Sequence, residues 1–170
     1  LYLDFMCSDD PAVNDLALVT YLSGAAAIVL GEAQEGLLLM ESLLDAEHPL
    51  ARTRATFDFV VTRLQLGPYS DAEERALIED GIERLERLQF EWRGDLFELK
   101  VLRQLGDLYV RQNDFRTGLT TMRRAVQLFP ATREAAQTRA DMDRIFADLY
   151  LRDEADELPP LTALALFDDF

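Results

Sequence analysis

Cysteine, histidine and lysine are almost absent from this chain of 170 residues, which has one of each: Cys7, His48 and Lys100. A single cysteine excludes an internal disulfide and any metal site built from several cysteines. A single histidine beside Pro49, in a predicted turn, has no second histidine with which to hold a metal, and a Cys7–His48 nucleophile pair is the only such pair available. The sequence therefore predicts no metal site and no cofactor.

Long apolar runs and positive charge are also scarce. The longest apolar stretch, residues 25–30, is far too short to cross a bilayer, so we expect no membrane insertion. Asp and Glu number 32 against 17 Lys and Arg, which gives a net charge of −15. That balance argues against nucleic acid as a partner and against docking on an anionic membrane. It leaves two interpretations open, namely a basic partner or solubility alone.

No catalytic group of residues can be recognised. The glycines are too scattered for a phosphate-binding loop. Adjacent acids occur four times, but at helix starts or in acidic turns, where the helix dipole explains them: Asp9-Asp10, Glu73-Glu74, Asp153-Glu154 and Asp168-Asp169. We expect a protein that is not an enzyme.

Helical periodicity fills the chain instead, and no run alternates apolar and polar residues as a half-buried strand would. Gly, Pro and Asn-Asp breaks divide it into about eight helices joined by short turns, which favour antiparallel hairpins. The sequence predicts an all-α single domain over residues 1–170, an α-α superhelix or short solenoid of four hairpins. Their approximate ranges are 11–45, 50–89, 95–129 and 131–168.

One hairpin carries a set of small and bulky residues at a defined spacing: Leu102, Leu105, Gly106, Tyr109, Gly118, Met122, Ala125 and Pro130. Gly106 and Gly118 are expected where two helices cross closely, and Pro130 ends the second helix. The spacing resembles that of the tetratricopeptide repeat, with Leu102, Gly118 and Met122 replacing the usual Trp, Ala and Phe. A fainter copy lies 82 residues earlier: Gly24, Ala27, Gly36, Met40 and Leu43.

The resemblance implies a non-enzymatic protein–protein interaction module, in which the first helix of each hairpin lines a groove for a partner peptide or helix. Carried over, the groove positions are Lys100, Arg103, Asp107 and Arg111, which share one helix face. The family's carboxylate clamp has Asn where this chain has Asp107. A second interpretation is that the cations simply pair with Asp95, Glu98 and Asp107 at the surface.

Two further segments have open interpretations. Phe90 and Trp92 are either an exposed contact site or part of the packing between hairpins. The apolar face of residues 161–167 is covered by a following hairpin, folds back, or mediates self-association. The arginine-rich cation usage suggests a segment of a longer bacterial protein, with the cell envelope as its expected location. As a structural spacer of a larger solenoid, such a segment would have no ligand of its own.

Overall fold

A computed structural model describes residues 16–151, 158 and 160–169 of the protein. The predicted helix start at residues 10–11, Cys7 and the acidic stretch at 153–157 lie outside the described residues. Within them the chain forms helices and no strand, so the all-α prediction is confirmed. The eight helices are α1 (Leu16–Val29), α2 (Ala33–Glu41), α3 (Pro49–Gln65), α4 (Asp71–Glu91), α5 (Leu96–Arg111), α6 (Phe115–Leu128), α7 (Arg133–Leu151) and α8 (Pro160–Asp169).

The second helix is shorter than the sequence predicts, because it ends at Glu41 and not near Asp45. After it the backbone tightens, and Leu43 N–H donates to the carbonyl of Met40 at 3.0 Å. The Ser42 hydroxyl donates to the carbonyl of Leu39 at 2.7 Å, which is the local competition that makes serine unfavourable within a helix.

The buried face of α3 also differs from the predicted one. The periodicity indicates Phe57, Val60, Val61 and Leu64, but only Val60 of these is fully buried. The face is centred on Phe59 and includes small and polar residues that an apolar pattern does not reveal: Ala51, Thr53, Ala55, Thr56 and Thr62. A threonine can be buried in a helix because its hydroxyl bonds to the preceding turn, as Thr56 does with the carbonyl of Arg52 at 2.8 Å.

The chain divides into two compact units, residues 1–91 and 92–170. The first contains α1 to α4 and the second α5 to α8. In the first unit, the α1–α2 hairpin packs on α3 around Met40, Leu43, Ala55 and Phe59. The expectation of one repeat domain over the whole chain stays a prediction.

The second unit has two clusters. Leu99, Leu102, Ala125 and Ala135 join α5, α6 and the start of α7. Leu119, Leu149 and Leu166 join α6, the end of α7 and α8. Helix α8 folds back on its own unit, where the Tyr150 hydroxyl donates to the carbonyl of Ala163 at 2.6 Å. Of the alternatives for residues 161–167, folding back is thus the arrangement observed.

The α5–α6 hairpin crosses at its two glycines. A β-carbon placed on Gly118 would lie 2.8 Å from the Gly106 carbonyl oxygen and 2.7 Å from Val110 Cγ2. The α1–α2 hairpin has the same arrangement, because a β-carbon on Gly36 would lie 2.8 Å from the Gly24 carbonyl oxygen. Only glycine permits this approach without displacing backbone, so both hairpins require it at the crossing.

The turns of these two hairpins also match. Asn113 has φ 63° and Gly31 has φ 89°, both left-handed. Asp114 N–H donates to the Tyr109 carbonyl at 2.9 Å, and Glu32 N–H donates to the Ala27 carbonyl at 2.9 Å. Gly118 N–H bonds to Asp114 and Gly36 N–H to Glu32, each at 3.0 Å. The predicted copy, from Gly24 to Gly106, is therefore the same local structure repeated after 82 residues.

Candidate partner-binding surface

The candidate surface is on α5, whose start is fixed by its N-cap. The Asp95 carboxylate accepts from Phe97 N–H at 2.9 Å and from Glu98 N–H at 3.2 Å. Glu98 returns to Gly94 N–H at 2.7 Å and not to Asp95, so the capping box is offset by one residue. Glu98 is buried, with 4% of its surface exposed, and its other carboxylate oxygen lies 3.8 Å from Arg124 of α6.

The repeat-signature residues occupy the interior of the second unit, as structural residues should. Five are buried in the α5–α6 hairpin besides the crossing Gly106: Leu102, Leu105, Gly118, Met122 and Ala125. Tyr109 is half-buried, and Pro130 is exposed in the turn between α6 and α7. Because they face inward, these residues build the hairpin and are not contact residues for a partner.

The four predicted groove residues remain accessible. Lys100 is exposed, and within the described part of the chain it forms no ion pair. The side chains of Arg103, Asp107 and Arg111 are 40%, 42% and 44% exposed. They are therefore partly free to meet a partner, and Lys100 is the most available cation of the four.

Arg103 connects α5 to α7. Its Nε and Nη2 donate to Oδ2 of Asp141 at 3.1 Å and 2.6 Å, and the other oxygen of Asp141 accepts from Arg144 at 2.8 Å. This places Asp141 and Arg144 of α7 beside the α5 residues. The sequence gave no sign of this link, because the residues are 38 positions apart and only the packing of α5 against α7 brings them together.

Pairing with neighbouring acids occurs at one of the three expected positions. Arg111 Nε lies 3.0 Å from Asp107 Oδ2, one turn apart on α5. Asp95 instead caps the helix, and Glu98 pairs with Arg124 across the hairpin. Counting Asp141 and Arg144 with the four predicted residues gives four cations and two carboxylates, a local net charge of +2 on a chain of −15.

The equivalent face of α1, in the first unit, has a different chemistry. Counting back 82 residues from the four groove positions gives Leu18, Tyr21, Ala25 and Val29, none of them charged. The Tyr21 hydroxyl donates to Asp58 of α3 at 2.9 Å, in the place where Arg103 bonds to Asp141. Both units therefore join the first helix of one hairpin to the first helix of the next by a polar contact to an aspartate.

Each unit also has an open cleft. One of about 440 Å³ in the first unit includes Arg63 and Arg84, whose guanidinium carbons lie 4.9 and 5.5 Å from the centre of the Phe59 ring. Both arginines are bound to Asp80, at 3.0 and 2.9 Å, so they already have a carboxylate partner. One of about 390 Å³ in the second unit is lined mainly by apolar and aromatic residues, among them Phe146, Tyr150 and Phe167.

Burial raises the pKa of the Tyr150 hydroxyl above its ordinary 10.0. His48, expected as a solvated turn residue, caps α3, and its Nδ1 accepts from Ala51 N–H at 3.2 Å. Phe90 is 69% exposed, while Trp92 stacks edge-on against Phe97 with ring centres 6.2 Å apart.

Over the described ranges, no three His, Cys, Asp or Glu side chains converge as a metal site would require. No helix among those described is both long and apolar enough to span a bilayer. No protein-family model matches the sequence, and neither does any curated protein with which it was compared.

Proposed function

We propose that the chain is a tetratricopeptide-like, non-enzymatic interaction module that binds an acidic segment of a partner protein along the charged face of α5 and α7. The observation that carries the proposal is the accessible cationic group on a repeat hairpin. Lys100, Arg103 and Arg111 lie on the face that the family uses for its ligands.

Electrostatics favours an acidic ligand at this face and disfavours one elsewhere. A net charge of +2 in a chain of −15 makes the face a local attractive region, which steers an acidic segment during encounter. Lys100 is exposed and without an ion pair in the described chain, so a carboxylate can bind it without first breaking a contact. The ion pairs of Arg103 and Arg111 hold those side chains in position beside it.

The test is a selection from a library of random peptides with free carboxyl ends, followed by affinity measurement on single peptides. Wild type should enrich acidic peptides, and the K100E/R111E variant should bind them at least tenfold more weakly, about 1.4 kcal/mol. The control is R87E/R133E, which changes the net charge equally through two exposed arginines outside this face. It should bind as wild type does.

Binding should also weaken as salt is raised from about 0.05 to 0.5 M, because the contacts are partly exposed charges. If no acidic peptide is enriched, or if K100E/R111E and R87E/R133E bind alike, the proposal is wrong.

A second candidate function is that of a structural spacer. The observation that favours it is the pairing of Arg103 with Asp141 and of Arg111 with Asp107, which uses two of the three cations within the chain. A spacer predicts that neither variant alters any binding and that both lower stability by no more than about 1 kcal/mol, as for exposed ion pairs.

A further inference from the structure

Helix α1 is unusual because it has no charged residue. The uncharged run extends over residues 16–30, in a chain of which 29% is charged. Each of the other described helices has at least one charged residue. In repeat proteins the outermost helix normally presents a polar face to water, so an uncharged exposed helix requires another explanation.

The exposed side of α1 forms a regular stripe. Its residues follow spacings of three and four: Leu16, Val19, Ser23, Ala26 and Leu30. Leu16 and Leu30 are 78% and 76% exposed. This is the spacing with which one helix packs lengthwise against another. The stripe therefore has the pattern of a helix–helix interface and is exposed in the described structure.

The matching positions of α5 show what the repeat does with this face. Counting forward 82 residues from the first four positions of the stripe gives Glu98, Val101, Leu105 and Leu108. These are buried, with exposures of 4%, 1%, 1% and 0%. The same face of the same repeat hairpin is thus buried in one copy and open in the other.

The stripe is complementary to itself, and we propose that it pairs with the stripe of a second copy of this chain, antiparallel and about a two-fold axis at Ser23. Leu16 and Leu30 lie seven residues on either side of Ser23. An antiparallel pair therefore places Leu16 of one copy against Leu30 of the other, as an isologous interface requires. Ser23 and Ala26 are small, which lets the helix backbones approach at the centre.

Charge also favours this surface for a second copy. Two chains of −15 repel each other at most orientations, and repulsion is least where the contact surface itself adds no charge. A 14-residue helix is about 21 Å long, so the pair buries less than the roughly 1,000 Å² typical of stable complexes. We therefore expect a weak dimer that forms at micromolar concentrations and is strengthened by salt, since salt screens the repulsion.

The first test is sedimentation equilibrium of the full chain from about 5 to 500 µM. The wild-type mass should rise toward that of a dimer with concentration. Ser23→Asp should weaken association at least tenfold, because it introduces two like charges at the centre of the interface. The control is Val29→Asp, an 86% exposed position about a third of a turn around the helix from Ser23, and it should change association less than twofold.

The second test is cross-linking with a short bismaleimide in a Cys7→Ala background. Ser23→Cys should give a covalent dimer in good yield, and Val29→Cys should give little. Both positions are exposed, so circular dichroism should show wild-type folding for every variant.

A wild-type chain that stays monomeric to 500 µM would overturn the proposal, and would indicate that residues 1–15 or a different protein cover the stripe. Equal effects of the two aspartate variants, or equal cross-linking of the two cysteine variants, would also overturn it.

Discussion

The α1–α2 hairpin of the first unit and the α5–α6 hairpin of the second share their interior and differ on their surfaces. In both, a glycine on each helix permits the crossing, and a left-handed residue with the same hydrogen bonds forms the turn. Met40 and Met122, 82 residues apart, are both buried next to the crossing. The comparison shows that a few close contacts specify this hairpin.

The outward faces of α1 and α5 are under no such constraint. One groove face is uncharged while the other has three cations, and the stripe that is open on α1 is buried on α5. A side chain that does not enter the crossing can change without altering the hairpin. Function in a repeat of this kind therefore depends on these variable faces, and the hairpin supplies their position.

The largest expected effect comes from matching positions with opposite burial. Leu105→Ala should lower the free energy of unfolding by about 2–5 kcal/mol, because Leu105 is 1% exposed and its loss leaves a cavity. Ser23→Ala, at the equivalent exposed position of α1, should change it by less than about 0.5 kcal/mol. Urea unfolding followed by circular dichroism measures both. Similar losses would show that the two faces are buried alike.

The next effect tests whether the crossings are the same. Gly118→Ala and Gly36→Ala should each cost about 1–3 kcal/mol, since the new β-carbon would lie 2.8 Å from a backbone carbonyl oxygen. Gly24→Ala is the milder control, because its nearest atom is Leu39 Cβ at 3.0 Å. Thermal or urea unfolding ranks the three variants. Stabilisation by Gly118→Ala would mean that the helices are not held this close.

A smaller effect separates the two polar contacts between hairpins. Arg103→Ala should cost about 0.2–1 kcal/mol, less at high salt, because its ion pair with Asp141 is partly exposed. Tyr21→Phe should cost about 0.5–1.5 kcal/mol, with a weaker dependence on salt, since it removes a hydroxyl's hydrogen bond to Asp58. Unfolding in 0.05 and 0.5 M salt distinguishes them. The same salt response for both variants would contradict this assignment.

The smallest effect compares two helix starts, at α4 and α5. The Ser70 hydroxyl and then the Ser70 N–H, bonding to the Glu73 carboxylate, hold its pKa below the ordinary 4.5. Ser70→Ala should move the pKa of Glu73 up toward 4.5, which carbon NMR of the carboxyl group follows directly.

The sign for stability follows from that lowered pKa. The contribution of Glu73 is present above its unfolded pKa and is lost as the pH falls through the folded value. The difference in stability between wild type and Ser70→Ala should therefore shrink on acidification below about pH 4. An unchanged difference would assign it to the serine alone.

Local signals in the sequence predicted much of this structure. The Ser70–Glu73 box, the Asp95 cap and the breaks at Gly31 and Asn113 lie where the chain turns or a helix begins. The resulting boundaries agree closely, apart from the early end of α2. The buried threonines of α3 could not be read from an apolar pattern, because burial of a hydroxyl depends on its bond to the preceding turn.

The candidate surface was predictable only in part. Helical spacing placed Lys100, Arg103, Asp107 and Arg111 on one face of α5, since positions three and four apart lie above one another. The partners of Arg103 and Glu98 were not predictable. Asp141 and Arg124 come from other helices, and nothing in the local sequence links them.

By itself, then, the sequence determined the helices, the turns and the glycines at which two hairpins cross, because capping, backbone conformation and side-chain size are local properties. The tertiary structure decided which faces are covered and which charges are paired, since packing brings together residues that are 38 positions apart. That is why Arg103 is held by Asp141, Lys100 remains open, and the uncharged stripe of α1 faces solvent where its counterpart on α5 is buried.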